Sequence, residues 1–275
     1  MTDAEATSEK SSKRWIKWTV LGVVAAVVLF FGGIFIYANF INDSPDALDE
    51  TDLSDALTAT TDTESPATTA ASSTVAPSAS STIAASPATT AGPSTTSAQP
   101  AGDFDGDWAP TTASEFGYRV DEVLAGVNTT AVGRSNEIEG LLTIEGTTAT
   151  VVDITVQIEN ITSDDSLRDG QFRGRIMNAE EFPTAEFRIT EPIEFAEIPA
   201  GDEQVTATAV GELTLRGVTN PVTFDVTAQT SAGQIGVLGS IPVVFDDYAI
   251  PEPSIGPVRV EDNGLVEFVL VFAPA

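Results

Sequence analysis

The sequence predicts an all-β domain, an antiparallel barrel or sandwich, in the C-terminal part of a 275-residue chain. Apolar and polar residues alternate with a period of two in about eight runs, and Gly, Asn, Asp and Pro turns separate these runs. A strand that alternates in this way has one face in a core and the other in water. The same region, residues 103–275, also contains aromatic residues, and its size suits such a domain.

The composition excludes several kinds of site. The chain has no Cys, so it has no disulfide, thiolate metal site or cysteine nucleophile, and it has no His, the commonest zinc ligand and general base. Twelve basic residues face 41 acidic ones, for a net charge of −29. A chain so acidic is repelled by nucleic acid, so we expect no DNA or RNA partner.

The first element along the chain is an apolar run. Residues 19–41 carry no charge, and as a helix they would rise roughly 35 Å, enough to cross the hydrocarbon core of a bilayer. Trp15 and Trp18 lie just before this run, and Tyr37 and Phe40 lie near its other end, as interfacial aromatic residues do. These features predict a single transmembrane helix.

The charges around this run predict its orientation. Lys10, Lys13, Arg14 and Lys17 precede it, and acidic residues follow it. The positive-inside rule then places residues 1–18 in the cytoplasm and the β-domain outside. The alternative is a cleaved signal peptide, whose apolar region would be shorter. We therefore expect an uncleaved single-pass anchor in the cell membrane.

The next segment, residues 42–102, is rich in Ser, Thr, Ala and Pro. It lacks the apolar periodicity that would bury a core, so we expect a disordered linker. A flexible chain of this length has a typical span of about 40 Å. Its composition also permits O-glycosylation.

The strands of the β-domain are predicted from the alternation itself. Only residues 164–183 depart from it, and they predict a long excursion or a short helix. Two runs, IGVLGSIPVVF and LVEFVLVF, are apolar on nearly both faces. The clearest alternating runs are VVDITVQIENI, QVTATAVGELTL and VTFDVTA. Arg216 and Gly217 are expected to begin a tight turn, with Pro221 leading the next strand.

A search for catalytic groups finds no coherent set. There is no Gly-x-Ser-x-Gly elbow, phosphate-binding loop or zinc-ligand spacing. Carboxylate pairs such as Asp164–Asp165 and Asp246–Asp247 are expected on the surface of so acidic a chain. A metal site could be built only from carboxylates. We therefore expect a protein that is not an enzyme, with no catalytic residue and no metal ligand.

The predicted inner face of one strand consists of small residues. Val205, Ala207, Ala209 and Gly211 alternate along QVTATAVGELTL. A barrel filled by its own side chains favours bulky residues at such positions. Small residues there are compatible with closely packed backbones or with room for a guest molecule, and both alternatives stay open at this point.

Four motifs in order carry a family resemblance. The stretch GELTLRGVTNPVTF, residues 211–224, resembles the signature of the YceI-like, polyisoprenoid-binding domain family. WAPTTASEFGYRV, SDDSLRDGQF and EEFPTAEFRI are similar to the family's other elements, and the likeness covers about residues 107–272. Many members carry a histidine near the first strand and another after Arg-Asp, where this chain has Gln171 and Phe172.

The resemblance implies an extended, lipocalin-like antiparallel barrel of about eight strands with an apolar lumen. It implies that the lumen holds a polyisoprenoid, quinone-like or other long-chain amphiphilic lipid. With the predicted transmembrane helix and linker, this indicates a membrane-tethered extracytoplasmic binding protein whose only bound small molecule is a lipid. The alternative is a structural or adhesive cell-surface domain with a filled barrel, and a homodimer is left open.

The candidate ligand-binding residues follow from the alternation and the motifs. Arg168 and Asp169 are candidates for the mouth of the lumen, and the alternative for this pair is an ion pair within a loop. Arg216 is a third candidate at the mouth. The candidates for the lumen are Phe116, Tyr118, Ile154, Val156, Phe187, Val205, Ala207, Ala209, Leu213 and Phe268.

Overall fold

A computed structural model of the chain describes residues 6–36, 44–59, 104–124, 126–201, 203–256 and 258–275. These residues form three α-helices, Ala6–Ile36 (α1), Glu50–Ala59 (α2) and Ser166–Gln171 (α3). The strands are Gly106–Pro110 (β1), Glu115–Leu124 (β2), Val127–Ser135 (β3), Ile138–Glu145 (β4), Thr148–Gln157 (β5), Thr162–Ser163 (β6), Thr184–Ile189 (β7), Ile193–Glu194 (β8), Gln204–Leu215 (β9), Val218–Ser231 (β10), Gln234–Val244 (β11), Val258–Val260 (β12) and Asn263–Pro274 (β13).

Eight strands form a closed antiparallel barrel, which confirms the predicted all-β class and decides against a sandwich. The ring runs β1–β4–β5–β7–β9–β10–β11–β13, and β13 returns to pair with β1. Closure leaves the ring without free edges. From β13 the sheet also extends through β2, β3 and β6, and the short strands β8 and β12 pair with β5 and β2.

Strand β13 pairs with two successive strands along the same side. Its last residues pair with β1, and residues 265–269 pair with β2. At the break between β1 and β2, Ser114 is almost fully buried, and its Oγ accepts from the Val271 N–H (2.9 Å) and donates to the Val271 C=O (3.2 Å). The Val271 C=O also accepts from the Thr111 N–H (2.7 Å), so Ser114 adds a partner for the Val271 N–H where the ladder is interrupted.

A two-residue turn joins β9 and β10. Leu215 pairs with Val218, and the residues between them, Arg216 and Gly217, both have positive φ, 50° and 75°. Two positive φ values are typical of the type I′ hairpin turn. The expected start of the next strand at Pro221 is therefore wrong, because β10 already begins at Val218. Pro221 is tolerated within the strand, since β11 pairs with β10 only from residue 226 onwards.

The first part of the predicted disordered linker is ordered. Residues 44–59 lie on the outside of the barrel, and Leu53 and Leu57 of α2 are fully buried against Val269 and Val271. Gly236 of β11 makes room for them, because a Cβ there would lie 2.6 Å from Leu53 Cδ1. Each buried leucine contributes about 2 kcal/mol through apolar burial, so the helix is held by packing that a Ser/Thr-rich composition conceals.

Local hydrogen bonds begin α2 at a defined residue. The Asp49 carboxylate accepts from the backbone N–H groups of Thr51 (2.7 Å) and Asp52 (3.2 Å), and Asp52 Oδ2 accepts from the Asp49 N–H (2.9 Å). This reciprocal arrangement is a capping box. The N–H donors of Thr51 and Asp52 also hold the pKa of Asp49 below its usual value. The helix start was therefore present in the sequence as Asp-x-x-Asp before Leu53.

Polar contacts attach the residues that precede α2. Arg119 Nη2 donates to the Pro45 C=O (2.6 Å), and Ser44 Oγ donates to the Thr130 C=O. Beneath them Glu267 is buried and pairs with both Arg119 Nε (3.2 Å) and Arg134. A buried charge is costly without a partner, so these ion pairs and the docked segment support one another.

The predicted membrane span overlaps α1, which ends at Ile36. Within the part of the chain that the structure describes, no helix meets the length and hydropathy needed to cross a membrane. The end of the predicted span, residues 37–41, and the remainder of the predicted linker, 42–43 and 60–102, lie outside the described residues.

The packing of α2 leads to a stability prediction. Leu57→Ala is expected to lower the free energy of unfolding by about 2 kcal/mol, because it removes buried methyl groups and leaves a cavity over Val271. Urea unfolding of the full-length protein measures this change. Thr51→Ala, on the exposed face of α2, is the matched control. Equal stability of both variants and the parent would contradict the docking of α2.

Candidate functional site

An elongated cavity of about 430 Å³ lies inside the barrel. This volume falls within the range of small-molecule sites. The cavity reaches from Phe104 and Phe195, near the β4–β5 turn, to Phe172 and Pro253, beside α3. Nearly all of its wall is apolar side chain, so the interior is suited to a long apolar guest.

Most of the candidate lumen residues line this cavity. Val205 and Ala207 do not line it, although register places them on the inner face, opposite Ala228 and Val226. Strand β8 lies beside this end of β9, and Ile193 lines the cavity there. The candidates that line the cavity are Phe116, Tyr118, Ile154, Val156, Phe187, Ala209, Leu213 and Phe268.

The small residues of β9 have two different causes. Gly211 is packed against an aromatic ring, because a Cβ there would lie 2.7 Å from Phe187 Cε2. Ala209 is fully buried and faces the cavity. Close packing and space for a guest, the two alternatives left open by the sequence, thus both occur on one strand, two residues apart.

Aromatic rings form part of the cavity wall. Phe224 meets Phe187 edge to face at 5.4 Å and Phe268 at 6.1 Å between ring centroids. Such edge-to-face pairs add to the stabilisation from burial. Near α3, Tyr118 stacks on Phe172 at 4.6 Å. Four of these rings come from four different strands, β2, β7, β10 and β13, and the fifth, Phe172, directly follows α3. The wall is therefore held by the barrel itself.

One end of the cavity carries charge. Arg168 Nη1 pairs with Asp164, and Arg168 Nη2 lies 3.5 Å from Glu122 Oε1. Burial lowers the pKa of Arg168, but the two carboxylates outweigh it and the pKa is raised overall. Burial also raises the pKa of Tyr118 to about 12, with Asp169, Glu122 and Asp164 adding to the effect against Arg168. At neutral pH this end therefore holds a charged guanidinium and a protonated phenol.

Asp169 has a structural position rather than the predicted one at the mouth. It is buried, and its Oδ1 accepts from the Ser163 N–H (2.8 Å) and Oγ–H (2.7 Å). It does not line the cavity. The carboxylate ties β6 to α3, and the ion pairs of Arg168 are made with Asp164 and Glu122 instead of with its neighbour.

Arg216, the third candidate for the mouth, also lies outside the cavity wall. Its Nη1 donates to the Ala249 C=O (2.5 Å), and its guanidinium carbon lies 5.8 Å from the centroid of the Phe182 ring. The side chain therefore fastens the β9–β10 turn to the loop after β11, and a sequence motif alone could not give this direction.

The predicted excursion at 164–183 supplies residues that the sequence analysis missed. A short helix forms there as expected, and Asp165 Oδ1 caps α3 by accepting from the Leu167 N–H (2.7 Å). The turn that follows places Phe172 and Met177 in the cavity wall. Asp165 just before the helix was the available signal for the cap, but it does not reveal which side chains point inward.

The arrangement offers apolar burial along its length, with the charged pair Arg168 and Glu122 at one end and Thr147, Thr148 and Glu197 near the other. Among the residues that the structure describes, no group of three or more carboxylates is placed to hold a metal ion. The chemistry that these side chains support is the enclosure of an amphiphilic molecule.

Comparison with known proteins matches most of the β-domain to one protein family. The family model described as YceI-like domain matches residues 109–272. No curated protein matches the chain.

Three solved structures are similar. The chain is 16% identical to a polyisoprenoid binding domain from Saccharophagus degradans, covering 62% of this chain and 98% of that one, with a TM-score of 0.49. It is 20% identical to BcnA from Burkholderia cenocepacia, covering 59% and 98%, with a TM-score of 0.44. It is 15% identical to the YCEI protein of Campylobacter jejuni, covering 48% and 80%, with a TM-score of 0.36. Since the family model matches more than half of its residues, this chain belongs to the YceI-like domain family.

Proposed function

We propose that this protein binds a polyisoprenoid, quinone-like or other long-chain amphiphilic lipid inside its barrel. The observation that carries the proposal is the cavity of about 430 Å³ with a largely apolar wall and a charged cluster beside α3. The resemblance of the motifs to polyisoprenoid-binding domains supports the same ligand class. The open space beside Ala209 disfavours the alternative of a filled, purely structural barrel.

Apolar burial supplies the affinity for such a ligand. Each CH₂ group removed from water contributes about 0.8 kcal/mol. A five-carbon isoprene unit then contributes a few kcal/mol before the cost of ordering the chain. The polar end near Arg168 orients the molecule, because a head group left against the apolar wall would lose its hydrogen bonds.

We further propose that α1 anchors the barrel to the outer face of the cell membrane. The charge asymmetry around residues 19–41 supports this orientation. Large apolar side chains of α1, Leu29 and Phe30 among them, are exposed in the protein, as expected if lipid covers them. The chain contacts the barrel from Ser44 onwards. The eight residue steps between Ile36, the end of α1, and Ser44 can span at most about 30 Å. The proposed anchor therefore holds the barrel near the membrane.

The membrane orientation can be tested on intact cells. Externally added protease is expected to cut the chain within residues 60–102, because this segment would lie outside the membrane and its composition predicts disorder. Immunoblotting with an antibody against the barrel should show a shortened C-terminal fragment. A fragment that forms only after the cells are lysed would contradict the orientation.

The site itself can be tested by filling it. In Ala209→Phe the new ring occupies the space of the guest, so binding of radiolabelled geranylgeraniol should fall by about tenfold or more. The free energy of unfolding should change by less than the 1–3 kcal/mol typical of an overpacked core. Equilibrium binding and urea unfolding of the full-length protein in a nonionic detergent measure the two quantities.

Val210→Phe is the matched control, because Val210 follows Ala209 on the opposite face of β9. It should bind the lipid like the parent protein. A stable Ala209→Phe variant with parental binding would reject the site. If the parent binds no lipid and Ala209→Phe is much less stable than the parent, the barrel is filled by its own side chains.

A further inference from the structure

The polar end of the cavity has more negative than positive charge. Among the described lining residues, Arg168 is the one basic side chain. Glu122 and Asp165 lie at the same end, and Asp164, just outside the wall, also contacts Arg168. The guanidinium is therefore outnumbered by carboxylates where a lipid head group would lie.

The guanidinium is also already engaged. Its two terminal nitrogens face Asp164 and Glu122, and the side chains of Arg168 and Glu122 are only 18% and 10% exposed. A phosphate binds arginine best through two parallel N–H···O bonds. To make them here, it would have to displace a carboxylate and leave Glu122 unpaired in a mostly buried position, which is costly.

Neutral groups find complementary partners at the same place. The carboxylate of Glu122 accepts hydrogen bonds, and the amide of Gln171, which lines the cavity, has both donor and acceptor atoms. The protonated hydroxyl of Tyr118 adds a donor or an acceptor. A hydroxyl or a quinone carbonyl can bond to these groups without bringing a second negative charge.

The net charge of the whole protein also disfavours the binding of an anionic head group. A net charge of −29 repels anions at a distance. Salt screens this effect beyond about 8 Å at physiological ionic strength, but it does not screen carboxylates that would touch the head group. The local arrangement around Arg168 therefore decides which head group is accepted.

We propose that the cavity selects amphiphiles with an uncharged head group, such as an isoprenoid alcohol or a quinone, and rejects the diphosphate of the same prenyl chain, because Glu122 and Asp164 already neutralise Arg168. This selectivity rests on the proposed lipid-binding function and specifies the ligand class of the same cavity.

The test compares two probes that share one chain, geranylgeraniol and geranylgeranyl diphosphate. Binding of each to the full-length protein in a nonionic detergent is measured at physiological salt. The parent should bind the alcohol at least tenfold more tightly than the diphosphate. In the double variant Glu122→Gln/Asp164→Asn, which frees the guanidinium, the affinity for the diphosphate relative to that for the alcohol should rise about tenfold.

Two controls separate the local effect from other causes. Asp121→Asn/Asp246→Asn removes two exposed carboxylates away from Arg168 and should leave diphosphate affinity near the parental value. Adding Arg168→Gln to the first double variant should abolish its gain. Urea unfolding of the full-length protein shows whether each variant is folded.

Three results would overturn the inference. A parent that binds the diphosphate as tightly as the alcohol, or a double variant without the gain, would contradict the selectivity while leaving lipid binding intact. A parent that binds neither probe would contradict the proposed function itself, and the selectivity with it.

Discussion

The structure depends on β13, a strand that must be buried on both faces. Its inner residues, Phe268 and Leu270 among them, line the cavity, while Val269 and Val271 between them face outward. A barrel strand with an apolar outer face needs a cover, and α2 supplies it. The same strand closes the ring by pairing with β11 and β1, and it also pairs with β2. The closure of the barrel, the wall of the cavity and the packing of α2 therefore all depend on β13.

The division of this interior between packing and open space determines what the protein can do. Beside Gly211 the ring of Phe187 fills the barrel, but beside Ala209 the space remains open. An apolar space that side chains could have filled costs stability, because its lining loses contacts. A guest restores those contacts. In the proposed complex the charged end near Arg168 acts on the head group, and burial of the apolar chain supplies the affinity.

Alternation predicted the barrel and the inward direction of Ala209, because the two faces of a strand differ in environment. It could not predict where the cavity ends, and Val205 lies on the inner face of β9 but outside the cavity wall. It could not give the position of Arg216 either, because a turn motif fixes the backbone and not the direction of a long side chain. Helix α2 was missed because two leucines among Ser, Thr and acidic residues give a weak signal. The apolar outer face of β13 was the stronger clue, since it required a partner.

The central claim, that the open cavity holds a lipid, is tested most directly by native mass spectrometry of the full-length protein extracted from its own membranes. The structure leads us to expect a folded protein with an adduct of lipid mass. Gentle activation should release this adduct as an intact neutral molecule, because burial rather than a covalent bond or an ion pair holds it. A protein that carries no adduct, and gains none when long-chain lipids are added in excess, would contradict the account.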